Sequence, residues 1–126
     1  MIIAMVLGEK ETIVPIIEGK VIRLYDVKSG DVQDFENPAL KVDTGKRGAV
    51  IKWLNERGVH ILCSPPSMLC ELSYETAKQA NFRYYRVQKN TPFFSVKQEL
   101  ASNQLELTEA LPKNEIEPSL IPKVSK

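Results

Sequence analysis

The residues of this chain best suited to chemistry fall into two short clusters. The first is His60, Cys63 and Cys70, which are the single histidine and both cysteines of the sequence. Thiolates and imidazole are donors that suit zinc, copper(I) or an iron–sulfur centre. Cys63 closes an apolar run, and α/β sheets place ligand-contacting residues at strand ends. The donor set is thin. Six residues separate the cysteines, which is no recognised ligand spacing, and the three side chains give at most three ligands. Strand alternation also sends His60 and Cys63 to opposite faces. A buried free thiol therefore competes with a metal ligand as the reading of Cys63.

The second cluster is Thr44-Gly45-Lys46-Arg47-Gly48. Glycines let an anion approach the backbone, N–H groups at a helix start point toward it, and two cations add charge. No nucleotide-binding P-loop is present, because neither its spacing nor the hydroxyl residue after the lysine occurs. Lys46 and Arg47 are badly placed for the helix dipole, which argues mildly for an anionic partner; a solvated, glycine-relaxed helix start is the plain alternative. Ser64 offers a hydroxyl from the loop after Cys63.

Other chemistries fail early. Two-metal hydrolysis needs clustered carboxylates, yet the first apolar run, residues 2–7, carries none, and Asp26, Asp31, Asp34 and Glu36 surround a turn. No Gly-x-Ser-x-Gly elbow occurs, and His60 is the sole histidine to serve a nucleophile as base. Residues 82–89 interleave aromatic and cationic side chains as single-stranded nucleic-acid binders do, but a strand packed by Tyr and solubilised by Arg explains the same pattern. A non-enzymatic protein is expected.

The elements that must position these residues are legible from period and punctuation. Residues 2–7 read as a buried strand. Residues 12–17 are interrupted by Pro15 and make at best an edge strand or extended loop. In residues 20–28, Val21, Arg23, Tyr25 and Val27 share one face while Ile22, Leu24 and Asp26 share the other. Ser29-Gly30 turns into a further alternating strand, 31–36, stopped by Asn37-Pro38. The period then changes. Asp43 or Thr44 suits a helix N-cap, Val50, Trp53 and Leu54 fall at helical spacing, and Gly58 ends the helix. Residues 59–63 form a continuous apolar strand of the kind covered on both faces. A helix beginning at about Ser67 or Ser73 and ending at Asn81 leads to a last strand, 82–87. Pro92 opens a helix through Leu100. The strands at 59–63 and 82–87 flank a crossover helix and should be parallel.

At 126 residues the chain holds one domain with a core of its own. Seventeen basic residues balance sixteen acidic ones, so no general field draws nucleic acid or anionic lipid. The N-terminal apolar run is far shorter than the ~20 residues that span a bilayer. A cytoplasmic location is expected, with no membrane partner. From residue 102 onward three prolines and isolated aliphatics between charges suggest a disordered tail, 102–126. The alternative is an arm docked through Leu105, Leu107 and Leu111.

The phrases Leu24-Tyr25-Asp26-Val27, Ser29-Gly30, Glu36-Asn37-Pro38, Trp53-Leu54 before Gly58-Val59, and Ser73-Tyr74-Glu75-Thr76-Ala77-Lys78 occur in an order and spacing that resembles the dinitrogenase iron–molybdenum cofactor biosynthesis family. The resemblance covers about residues 2–100, so a domain of residues 1–101 is expected. It implies an α/β, ribonuclease-H-like three-layer fold, with a five-stranded mixed sheet formed by an N-terminal antiparallel meander and then βαβ. It also implies an accessory role carrying an iron–sulfur or iron–molybdenum-type cluster. Ile16 stands where the family often shows a histidine, and the loop after Cys63 is longer than usual. The expected site is a cleft between residues 44–48 and 63–67. Gly45, Lys46, Arg47, Gly48 and Ser64 would bind a small anion or metallocluster, and Cys63 would be the metal ligand. A protein-interaction module or homo-oligomer that has lost the ligand is the alternative.

Overall fold

The apolar N-terminal run becomes the centre of a sheet. In this computed structural model, which describes residues 1–119, β1 (Ile2–Leu7) is buried from Ile3 onward. Its β-branched residues suit a strand flanked on both edges and both faces. β2 (Thr12–Ile13) is a two-residue strand beside it. β3 (Val21–Asp26) pairs antiparallel with β1 from Ile2↔Asp26 to Leu7↔Val21. β4 (Val32–Glu36) adds antiparallel to β3, across a turn in which Gly30 takes a φ of 82°. The expected antiparallel meander is thus β1, β3 and β4.

The second half supplies the parallel strands. β5 (Ile61–Ser64) lies parallel to β1 and to β6 (Arg83–Arg86). β7 (Thr91–Pro92) pairs with β2, and β8 (Leu107–Thr108) pairs antiparallel with β6. The long path runs β4-β3-β1-β5-β6-β8. The expectation of five strands is corrected to eight. The additions, β2, β7 and β8, span two residues each; β2 falls in the stretch 12–17 read as at best an edge strand or extended loop, and β7 and β8 are too short for any alternation to register in sequence.

Helices cover both faces. α1 (Lys46–Glu56) and α2 (Glu71–Gln79) place Val50, Ile51, Leu54 and Ala77 in a cluster with Ala4, Val6, Ile22, Leu24 and Leu62. α3 (Phe93–Ala101) sets Phe93 and Val96 on the other face, with Ile3, Met5, Tyr25 and Cys63. The alternation of β3 is therefore a division between two cores. Gly45 caps α1, at φ 66° and with no side-chain bond, in place of Asp43 or Thr44. A left-handed cap favours glycine. α2 begins after Cys70, with Ser73 one turn inside.

Residues 102–119, expected as part of a disordered tail or of an arm docked through Leu105, Leu107 and Leu111, run against the rest of the chain. Leu107 and Thr108 extend the sheet, and Leu111 is buried in the α1/α2 core. Its N–H donates to the Tyr74 hydroxyl at 3.1 Å. The remainder of the expected tail, 120–126, lies outside the described residues. Among the described residues no helix is long and apolar enough to cross a membrane.

Candidate functional site

α1 and α2 begin side by side, and their first turns line one groove of about 840 Å³. Its walls include Gly45, Arg47 and Gly48 from α1, Cys70 and Ser73 from α2, and Glu117 from the C-terminal segment. Ile17 reaches it from the β2–β3 connection. A buried side chain fixes that connection. Asn37, 0% exposed, donates through Nδ2 to the carbonyls of Ile16 and Gly19 at 2.9 and 2.8 Å, and its Oδ1 accepts from the Ala39 N–H.

The two helix starts differ in how their N–H groups are used. In α1 the first bond runs from Ala49 N–H to Gly45 O at 2.9 Å. The N–H groups of Lys46, Arg47 and Gly48 have no acceptor among the described residues. A β-carbon built on Gly45 or Gly48 would touch nothing within 4 Å, so this backbone lies open. Such orphan donors at a helix start carry the positive end of the dipole. In α2 the chain itself fills the equivalent places. Glu71 N–H donates to Glu117 O and Leu72 N–H to Ser119 Oγ, each at 2.9 Å.

The cations have separate roles. Lys46 Nζ donates to the carbonyls of Ala39 and Val42 at 2.9 and 2.6 Å, closing the turn Pro38–Lys41. Its awkward place at a helix start thus has a structural cause. Arg47 makes two long contacts to Ser67 O, at 3.4 and 3.3 Å. Among the described residues no carboxylate lies within ion-pair distance of it. Arg47 is the groove's available cation.

Cys70, weighed in the sequence only as a companion to Cys63, is the thiol at the groove. It is the N-cap of α2, with Ser73 Oγ 3.2 Å from its Sγ and accepting its N–H at 2.9 Å. Burial opposes ionisation, but hydrogen bonds from Ser73, Ser119 and the Leu72 N–H hold the thiol below its ordinary range. Thiols at helix N-termini ionise readily for this reason.

The structure does not bring the other expected residues to this place. Cys63 is fully buried on the α3 face, and burial pushes its thiol up to about 12. It cannot share a site with residues 44–48 across the sheet. Ser64 is 1% exposed and its Oγ has no partner; it lies under the α1/α2 layer and does not line the groove. His60 Nε2 lies 2.7 Å from Asn55 Oδ1, and the ring stands edge-on to Phe82. Ile16 is fully buried, while its neighbour Ile17 lines the groove. Among the described residues no three His, Cys, Asp or Glu side chains group closely enough to hold a metal ion. In β6, Tyr84 and Tyr85 are buried and Arg86 pairs with Glu115. A capping signal, Cys70 with Ser73 at the third helical position, could have pointed to Cys70. Nothing local marks Glu117 or Ser119.

No family model matches the sequence, and no curated protein matches it significantly. Solved structures do. The orange protein of Desulfovibrio gigas, solved in its apo form, superposes with a TM-score of 0.71 at 11% identity, covering 89% of this chain and 96% of that one. A NifB-like Thermotoga protein of the DUF35 family superposes at 0.61 with 23% identity, covering 89% and 97%. Likeness at these identities is a likeness of fold.

Proposed function

We propose that this protein is a non-enzymatic accessory domain that binds a small anionic ligand in the groove where α1 and α2 begin. The observation that carries this reading is the open start of α1: three unpartnered N–H groups, two glycines with free space above them, and Arg47 beside them. Such an arrangement stabilises negative charge through fixed dipoles that need no reorganisation. We read the strand order β4-β3-β1-β5-β6 as ribonuclease-H-like. The resemblance to nitrogenase cofactor proteins, and the fold shared with a NifB-like protein, support an accessory role. The groove's donors do not fit a cluster ligated by the protein, since Cys70 is its one thiol and Glu117 its one carboxylate. An iron–sulfur or iron–molybdenum-type cluster enters this reading only as anionic cargo held by N–H groups and Arg47.

The test is a titration with inorganic phosphate, followed by amide chemical shifts. Wild type should show saturable shifts at residues 46–48, and Arg47→Ala should weaken binding about tenfold, the value of a charge-assisted contact. Equal binding by the two proteins removes the site. Metal and sulfide analysis of protein purified without oxygen addresses the cargo separately.

A second reading is favoured by Ile17 and Leu72, which are 51% and 56% exposed on the groove's rim. In that case the groove receives a protein partner or a second copy. Sedimentation of wild type against an Ile17→Ser/Leu72→Ser variant decides whether self-association depends on them.

A further inference from the structure

The C-terminal segment does two different jobs. Up to Leu111 it is held by apolar burial and by pairing of β8 with β6. Beyond Leu111 the attachment becomes almost wholly polar. Ile116 is the one partly buried hydrophobic there that packs on the core among the described residues. Otherwise Ser67 N–H donates to Glu115 O, Glu117 N–H to Leu69 O, and Glu71 N–H to Glu117 O, each at 2.9 Å. Ser119 N–H donates to Glu71 Oε1 at 3.1 Å. Outside the groove an ion pair between the half-exposed Arg86 and the mostly covered Glu115 fastens the same segment. Segments with few buried apolar contacts and water-accessible hydrogen bonds open at the low end of a protein's free-energy range.

The position of this segment gives that weakness a meaning. Glu117 O and Ser119 Oγ occupy the α2 N–H groups that correspond to the open ones of α1. The Glu117 carboxylate accepts from the Ser67 hydroxyl, while the Ser67 carbonyl is the group that Arg47 contacts. A negative side chain and the groove's available cation thus meet on one residue.

We propose that residues 113–119 form a displaceable strap, an internal competitor whose Glu117 carboxylate and α2-capping oxygens hold half of the groove against an entering anion. The inference rests on the anion-binding reading above and adds its regulation. With the strap seated, only the α1 start receives an anion, and it does so against the charge of Glu117. With the strap released, the N–H groups of Glu71 and Leu72 join those of residues 46–48.

Two variants of the full chain test this. Glu117→Gln removes the competing charge and keeps the shape. Arg86→Ala opens the Arg86–Glu115 latch at a residue that does not line the groove. Phosphate should bind each at least threefold more tightly than it binds wild type, and Arg86→Ala should speed amide exchange at Glu71 and Leu72 at least threefold. If wild type binds phosphate, Arg47→Ala weakens it, and both strap variants bind like wild type, the strap is a fixed wall and the inference falls while the anion reading stands. If neither wild type nor either strap variant binds phosphate, the anion reading fails and takes the strap with it. Binding by the strap variants alone supports both.

Discussion

Asn37 shows how one side chain sets the geometry of the groove. Its amide joins the backbone at Ile16 and Gly19 to the turn Pro38–Lys41, and Lys46 Nζ joins the end of that turn to α1. The chain of bonds therefore runs from Ile17 at the rim to the open helix start. Asn37→Ala would leave two carbonyls without their donor in a fully buried place, which costs about 3 kcal/mol. Urea unfolding should register that loss, and Lys46→Met should lose less, because its partners are nearer to solvent. A loss below about 1 kcal/mol for Asn37→Ala would mean that water replaces the amide. In the sequence Asn37-Pro38 reads only as a strand stop, since its acceptors lie some twenty residues away.

Two glycines separate close packing from conformational need at the scale of elements. A β-carbon on Gly19 would come within 2.5 Å of Val6 Cγ1, 2.7 Å of Leu7 O and 2.9 Å of Val14 Cγ2. The chain entering β3 presses on β1 there, and a backbone oxygen cannot yield. Gly45 has open space but a φ of +66°. Gly19→Ala should therefore cost about 3 kcal/mol through overpacking, and Gly45→Ala about 1 kcal/mol through left-handed strain. Thermal melts of the two variants check the order; a larger cost at Gly45 would contradict the packing argument. Gly45→Ala should also be the informative variant for binding, because it alters the open α1 start while sparing the sheet.

At the scale of the molecule, the C-terminal arm completes a core that residues 1–101 leave unfinished. Leu111 is buried in the α1/α2 layer, Ile116 packs against it, and β8 covers the edge of β6. Ending the chain after Gln104 should uncover Tyr74 and Tyr84 and cost at least about 3 kcal/mol, the value of burying Leu111, with smaller contributions from Leu105, Leu107 and Ile116. Tyrosine fluorescence during urea unfolding would follow both the exposure and the lost stability. An unchanged midpoint would make the arm an ornament on a domain complete at residue 101. The apolar anchoring of this arm also explains how the strap beyond it can open without unfolding the domain.

Elements with strong period were legible in the residue order: β1, β3 and β4 as a meander, α1 through Leu54, and β5 and β6 as parallel strands about a helix. That order also marked residues 45–48 as a place where backbone lies open, because glycine and cation patterns are local. The partners of that place were decided by tertiary structure alone. The linear reading makes Cys63 the metal ligand and Cys70 its companion, yet the sheet puts Cys63 in the α3 core and Cys70 at the groove. Lys46 and Arg47 are adjacent, yet carbonyls of a preceding turn engage the first and leave the second lining the groove. Glu117 and Ser119 carry no local signal, since their roles are contacts with residues about fifty positions earlier. Period and punctuation act over one or two turns of chain, whereas a site formed where helix starts meet a returning segment depends on separations that only folding closes.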